Sequence, residues 1–154
     1  SVTAVEVFAL TRILDYFEAQ DYVKNFGMIG LSYGGFYTLM TTALDTRIKS
    51  AISCSFFNTR EEVSWTDWTW DSLAYKFDDP EIACLIYPRT LCIEMGNEDK
   101  VFDCNYTVKS FEKLKALCKD VGTDWVNLIV FDGIHEFCKD DAPIEKLVNE
   151  LLSQ

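Results

Sequence analysis

A serine surrounded by glycines is the part of this sequence that points most directly to chemistry. The segment Gly30-Leu31-Ser32-Tyr33-Gly34-Gly35 has the spacing G-x-S-x-G, in which a strand turns sharply into a helix and exposes the serine hydroxyl. We expect a strained backbone at Ser32, and we expect that side chains at positions 30 and 34 would collide with the neighbouring strand and helix. N–H groups at the helix start would face a developing oxyanion. The segment therefore predicts a nucleophilic serine, with a plain tight turn or a phosphate-binding loop as the alternatives.

The base that such a serine needs can come from only one histidine. The sequence contains a single histidine, His135, in the segment Phe131-Asp132-Gly133-Ile134-His135. This segment follows the last predicted strand, so the imidazole would lie in a loop at the end of the sheet. A serine hydroxyl is a weak nucleophile until a neighbouring base takes its proton. We therefore favour a catalytic histidine over a satisfied structural one.

A carboxylate that orients the histidine should follow the third predicted strand. The strand and the loop after it offer four acidic residues, Glu94, Glu98, Asp99 and Asp103. Glu94 would lie inside the strand, whereas Gly96 marks the turn after which a loop can carry an acid towards the histidine. We predict Asp99 as this acid, with Glu98 and Asp103 as the alternatives.

The elements that must position these residues alternate between strands and helices. Apolar residues at three- and four-residue spacing predict a first helix over residues 3–20, with Val5, Phe8, Ala9, Ile13, Tyr16 and Phe17 on its apolar face. Later patterns predict strands over 23–30, 48–56, 90–95 and 125–131, and helices over 36–44, 106–119 and 142–152. Strands separated by helices predict an α/β fold with a mostly parallel sheet and flanking helices.

An aromatic-rich insertion at about residues 57–88 interrupts this alternation and does not resemble a regular crossover helix. Trp65, Trp68 and Trp70 lie in it, either as candidate substrate-lining residues or as core or subunit-interface packing. We expect its acidic pairs, Glu61-Glu62 and Asp78-Asp79, to form solvated surface instead of a metal site.

Composition limits the class of protein. The 154 residues are 49% hydrophobic and 25% charged, which predicts one soluble globular domain over residues 1–154 and excludes a disordered chain. The net charge of −11, with scattered basic residues, excludes nucleic acid and anionic membrane as partners. The six cysteines form no Cys-x-x-Cys pair, so we expect no zinc site. Reduced, buried thiols in a cytoplasmic protein are the favoured interpretation, and a secreted protein with disulfide bonds is the alternative.

Together, four segments resemble the α/β-hydrolase superfamily, and most of all its dienelactone-hydrolase and acetyl-xylan-esterase-like branch. They are the glycine-framed serine segment, Leu44-Asp45-Thr46-Arg47-Ile48-Lys49-Ser50, Pro88-Arg89 followed by Gly96-Asn97-Glu98-Asp99, and Phe131-Asp132-Gly133-Ile134-His135-Glu136-Phe137. The resemblance implies that Ser32, Asp99 and His135 are nucleophile, acid and base, and that the Tyr33 N–H is one oxyanion donor. It implies an esterase without a cofactor that acts on small esters or acetylated sugars. The sequence Ser-Tyr-Gly-Gly also resembles that of prolyl-oligopeptidase-type serine peptidases, which are the alternative among enzymes.

The sequence departs from that superfamily in its first half. The full fold has about eight strands with the serine turn after the fifth, whereas only one helix precedes Gly30 here. The resemblance therefore implies that this chain is the C-terminal half of a larger domain. This half would lack the second oxyanion donor and would be weakly active alone. We expect this chain to form homo-oligomers or to pair with an N-terminal segment. An inert hydrolase half that serves as an interaction module is the alternative outside the enzymes.

Overall fold

A computed structural model of the chain describes residues 1–59 and 76–153. Its helices are α1 (Val2–Glu18), α2 (Tyr33–Leu44), α3 (Asp79–Cys84), α4 (Cys104–Leu117) and α5 (Ala142–Leu152). Its strands are β1 (Phe26–Leu31), β2 (Ile48–Cys54), β3 (Thr90–Gly96) and β4 (Val126–Phe131). Trp65, Trp68 and Trp70, and the pair Glu61-Glu62, lie outside the described residues. No helix in the described ranges is long and apolar enough to cross a membrane.

The four strands form one parallel sheet in the order β1-β2-β3-β4. Each strand is followed in the chain by a helix, so every strand runs in the same direction and all four carboxyl ends meet at one edge. This confirms the α/β prediction. Residues that follow different strands can therefore converge at that edge, which is where ligands bind in open parallel sheets.

Helices cover both faces of the sheet. On one face of β2, the Ser53 hydroxyl donates to the carbonyl of Gly35 in α2 at 3.0 Å. On the other face, the Thr90 hydroxyl of β3 hydrogen-bonds both Ser50 of β2 and Glu150 of α5. The larger core lies between the sheet and the helices α2, α3 and α4, and it includes Leu39, Ile82, Ile86, Leu91, Ile93, Leu114 and Val126.

The expected apolar face of α1 is exposed, which corrects the prediction from spacing. Val5, Phe8, Ile13 and Tyr16 are each more than half exposed, whereas Thr3 and Val7 are the residues that α1 buries. The helix carries apolar residues around most of its circumference, so spacing alone could not select the side that packs on α2.

The described end of the insertion is more regular than the sequence predicts. Residues 79–84 form α3, and Asp78 caps it: the Glu81 side chain accepts from the Asp78 N–H at 3.0 Å in a capping box. Asp79 is fully buried and its Oδ2 accepts from the N–H of Asn58 at 2.8 Å. The prediction that Asp78-Asp79 is solvated surface is therefore wrong, because both carboxylates satisfy backbone N–H groups near a helix N-terminus.

Candidate active site

Ser32 occupies the sharp turn between β1 and α2. Its φ of 59° and ψ of −118° lie outside the regions that residues with a side chain usually adopt. Two backbone hydrogen bonds hold the turn: the Ser32 N–H donates to the Cys54 carbonyl at 2.9 Å, and the Phe36 N–H donates to the Ser32 carbonyl at 3.0 Å. Tyr33, the first residue of α2, places its N–H at the positive end of the helix dipole.

Two glycines allow this turn to pack closely: Gly30, as the sequence predicts, and Gly35 in place of Gly34. A Cβ at Gly30 would lie 2.2 Å from the carbonyl carbon and oxygen of Gly34, and a Cβ at Gly35 would lie 2.7 Å from the Cys54 carbonyl oxygen. A Cβ at Gly34 would meet nothing within 4 Å. The expected collision of a side chain at position 34 is therefore wrong. The backbone of Gly34 lies against Gly30, whereas a Cβ on Gly34 would point into open space.

The imidazole of His135 and the carboxylate of Asp99 form a direct pair. His135 Nδ1 lies 2.7 Å from Asp99 Oδ2, and the Asp99 side chain is fully buried while that of His135 is 24% exposed. The other carboxylate oxygen, Oδ1, accepts from the N–H groups of Val101 at 2.7 Å and Phe102 at 3.1 Å. Backbone donors thus fix the carboxylate, and the carboxylate fixes the ring.

The acid alternatives are placed differently. Asp103 caps α4, where its Oδ1 accepts from the N–H of Asn105 at 2.8 Å. Glu98 uses its own N–H to hold the Gly133 carbonyl at 2.9 Å, and its side chain has no hydrogen bond to His135 within the described residues. Of the acids that the sequence offered after β3, the structure brings Asp99 to the imidazole.

The loop that carries His135 is fastened to the loop that carries Asp99. The Gly133 N–H donates to Asn97 Oδ1 at 3.2 Å, and the Asn97 N–H donates to the Phe131 carbonyl at 2.9 Å. A Cβ at Gly96 would lie 2.3 Å from the carbonyl oxygen of Ile134, so the close crossing of the two loops requires glycine there. This crossing directs the chain beyond β4 back across the end of β3.

Cys54 connects the histidine loop to the serine turn. Its thiol donates to the Glu136 carbonyl at 3.1 Å, one residue beyond His135, and its own carbonyl accepts from Ser32. Cys54 also pairs with Leu31 in the sheet register. One residue of β2 thus lies between the two segments. Within the described part of the chain no hydrogen bond joins Ser32 Oγ to His135, so their direct contact stays a prediction.

A buried carboxylate, that of Glu94, holds the loop that carries His135. Glu94 is 2% exposed near the end of β3, and its Oε2 accepts from the Cys138 N–H at 3.3 Å. Burial raises the pKa of Glu94, and the hydrogen bond from the Cys138 N–H offsets only part of that rise. Burial, together with the nearby Glu94 carboxylate, raises the pKa of the Cys54 thiol to about 12, so Cys54 stays a protonated donor.

Sequence reasoning missed the positioning roles of Cys54 and Glu94. A signal existed for Glu94, since an acid within an otherwise apolar strand must be paired when it is buried. For Cys54 there was none, because a cysteine in an apolar strand is typical of ordinary core packing.

A row of aromatic rings packs against the imidazole. The His135 ring lies 5.9 Å from that of Phe102, which lies 5.6 Å from Phe56, and Phe56 in turn lies 5.2 Å from Phe36 of α2. The last two contacts are edge-to-face, which aromatic rings prefer. This row of rings joins the helix that carries the serine turn to the imidazole.

No metal centre accompanies these residues in the described ranges, where no group of three or more His, Cys, Asp and Glu side chains converges. Asp99 and Asn58 line a pocket of about 490 Å³ beside the acid loop.

Comparison with known proteins gives structural neighbours only. No protein-family profile and no curated protein sequence matches the chain. A glucuronoyl esterase from Solibacter usitatus matches with a TM-score of 0.78 and 17% identity, over 97% of this chain and 48% of its own. A cold-adapted esterase from an Arctic intertidal metagenomic library matches with a TM-score of 0.66 and 21% identity, over 97% and 58%. Zea mays acyl-protein thioesterase 2 matches with a TM-score of 0.64 and 16% identity, over 97% and 66%.

These neighbours show that the chain has the fold of part of an α/β-hydrolase-like domain. The chain spans about half the length of the glucuronoyl esterase. At identities of 16–21%, the likeness concerns the arrangement of the elements.

Proposed function

We propose that this chain carries the nucleophile, base and acid of a serine carboxylester hydrolase. The observation that carries the proposal is the 2.7 Å hydrogen bond between His135 and Asp99, at the same sheet edge as the strained Ser32 turn. A histidine that only packs needs no buried carboxylate fixed by two backbone donors. A serine that only caps a helix needs no positive φ.

The proposed reaction starts with a proton transfer. Because Asp99 accepts the proton on His135 Nδ1, Nε2 is the basic nitrogen and takes the hydroxyl proton of Ser32. Ser32 Oγ then bonds to the ester carbonyl carbon, and the π electrons of the carbonyl move to its oxygen. When this intermediate collapses, the bond to the alcohol oxygen breaks and Nε2 returns the proton to the leaving alcohol. Water repeats the two steps and releases the acid.

The negative charge on the carbonyl oxygen needs donors that are already in place. The N–H of Tyr33, at the start of α2, is the donor that this chain offers beside Ser32. In the proposal it supplies one of the two N–H groups of the oxyanion hole.

The substrates we propose are small carboxylic esters, with acetylated sugars favoured. Resemblance to the acetyl-xylan-esterase-like branch supports the choice of acetylated sugars, and a structural neighbour named as a glucuronoyl esterase supports an ester as the substrate. No metal or cofactor takes part in the proposed steps.

A fluorophosphonate probe tests the proposed nucleophile. We expect the protein to be labelled and the Ser32→Ala variant to lose the label. Ser153→Ala, which removes an exposed hydroxyl after α5, is the matched control and should be labelled like the wild type. Labelling that survives Ser32→Ala would show that another residue is the nucleophile and would contradict the proposal. A folded wild-type protein that is not labelled would also contradict it and would favour an interaction module.

The substrate class is tested separately. We expect turnover of nitrophenyl acetate and of acetylated xylo-oligosaccharides, and no cleavage of a chromogenic prolyl peptide. Peptide cleavage without ester turnover would instead identify a prolyl-oligopeptidase-type peptidase with the same three residues.

A further inference from the structure

Two cysteines meet where α3 and α4 pack together, away from Ser32 and His135. Cys84 is the last residue of α3 and Cys118 is the residue that ends α4. Their sulfurs lie 3.4 Å apart and share a thiol hydrogen bond. The structure describes all six cysteines as free, and no other two of them share such a contact.

Packing around the pair keeps the two thiols together. Cys118 is buried and Cys84 is half-buried. Ile82 and Ala83 of α3 lie in the same apolar core as Leu114 of α4. The two helix ends therefore cannot separate without opening that core, and the thiols stay neighbours in the folded protein.

We propose that Cys84 and Cys118 are the site of an intramolecular disulfide bond that forms when the protein meets a disulfide oxidant such as oxidised glutathione. A disulfide has a sulfur–sulfur distance of about 2.05 Å. From 3.4 Å, the remaining approach is about 1.4 Å, which side-chain rotation of two terminal helix residues can supply. The proposal does not depend on the esterase function.

The exchange takes place in two steps. The Cys84 thiolate attacks one sulfur of glutathione disulfide, the glutathione S–S bond breaks, and one glutathione thiolate leaves. The Cys118 thiolate then attacks the Cys84 sulfur of the mixed disulfide and releases the second glutathione. The two cysteines lose two electrons and two protons, and the oxidant becomes two glutathione thiols.

Cys84 is the first thiol to react because it is the more exposed of the two. Burial raises its pKa to about 12, and the neighbouring Cys118 and Glu81 add to the rise. The thiolate is therefore scarce at neutral pH, and the exchange is faster at alkaline pH. An experiment at pH about 8.5 provides more thiolate without changing the pair.

The bond would close a chain segment that contains β3 and Asp99. The two cysteines are 34 residues apart, so the crosslink restricts the unfolded chain considerably. For a loop of this length in a domain of this size, we expect the melting temperature to rise by roughly 5 to 15 °C.

Peptide mapping tests the proposal on the wild-type chain. After oxidation with glutathione disulfide, alkylation of the remaining thiols and digestion with trypsin, Cys84 lies in residues 77–89 and Cys118 in residues 116–119. We expect these two peptides to be linked, lighter by two hydrogen atoms than their sum, and to separate on reduction. The other four cysteines should be found alkylated.

Two variants act as controls. Cys104→Ser changes a cysteine of α4 outside the pair and should leave the linked peptides unchanged. Cys118→Ser should abolish both the link and the oxidant-dependent rise in melting temperature. A sample at the end point of oxidation in which Cys84 is unlinked, carries only glutathione or is linked to another cysteine would overturn the proposal. The wild-type result decides even if Cys118→Ser does not fold.

Discussion

Replacing Asp99 with asparagine tests how the proposed site works. The substitution removes the negative charge and keeps the shape of the side chain. The amide oxygen can still accept from the N–H groups of Val101 and Phe102, so we expect the fold and the melting temperature to change little. The amide NH₂ would then face His135 Nδ1, which must become an acceptor. The proton would move to Nε2, the nitrogen that should receive the serine proton.

The expected loss follows from the distance between the two side chains. With Nδ1 and Oδ2 at 2.7 Å, the centres of charge of an imidazolium and the carboxylate lie about 4 Å apart. At the effective dielectric constant of a protein site this attraction is about 4 kcal/mol. Each 1.36 kcal/mol of lost transition-state stabilisation costs about tenfold in rate. Asp99→Asn should therefore lower kcat/KM by about 10³-fold, and the wrong tautomer should lower it further.

The second-order rate of fluorophosphonate labelling and the kcat/KM for nitrophenyl acetate both measure this loss. Asp103→Asn is the matched control, since it makes the same chemical change four residues away at the N-cap of α4. We expect this variant to retain activity within about threefold of the wild type, because a cap contact affects helix stability first.

Two results would refute this reasoning. If Asp99→Asn stays within about tenfold of the wild type, the buried pair does not stabilise the charged imidazole during the reaction. If Asp103→Asn loses as much activity as Asp99→Asn while remaining folded, the effect is not specific to the imidazole partner.

Three further predictions concern the turn, an ion-pair network and the exposed face of α1. Gly30→Ala should abolish probe labelling and lower the free energy of unfolding by about 1 to 3 kcal/mol, since its Cβ meets backbone at 2.2 Å, whereas Gly34→Ala should be tolerated in both assays. Arg47→Ala should cost about 1 to 2 kcal/mol in urea denaturation, because the guanidinium pairs with Asp45 of its own loop and with Asp15 and Glu18 of α1. The hydrogen bond from Arg47 holds the pKa of Asp45 in the folded protein below its usual 3.8. This stabilisation is therefore present above pH 3.8 and is lost as the pH falls through the pKa of Asp45 in the folded state. Equal acid sensitivity of the wild type and the variant would contradict the assignment. The isolated 154-residue chain should self-associate in sedimentation velocity, because β1 is an edge strand of the described sheet and Phe8 on α1 is 60% exposed; a monomer at micromolar concentration would contradict this.

The sequence by itself determined the parts of the site that depend on local chain geometry. A serine between a strand and a helix with glycines at fixed spacing predicted the strained turn, and the structure has φ of 59° there. Alternating strand and helix patterns predicted the parallel sheet, since local periodicity reports which elements form. The single histidine after the last strand and the acids after the third were placed at one sheet edge, because parallel strands end on the same side.

Only the tertiary structure decided which long-range contacts those residues make. The sequence favoured Asp99 among the acids near the end of β3 but kept Glu98 and Asp103 as alternatives. In the folded chain the backbone N–H groups of Val101 and Phe102 orient Asp99 towards the imidazole. The role of Cys54 depends on a contact with Glu136, which is 82 residues away, and no local pattern encodes such a distance. The prediction for the buried side of α1 was wrong, and so was the expected collision at Gly34, because each depends on which neighbour the folded chain brings close. Spacing along the chain specifies the elements, and packing between them selects the contacts.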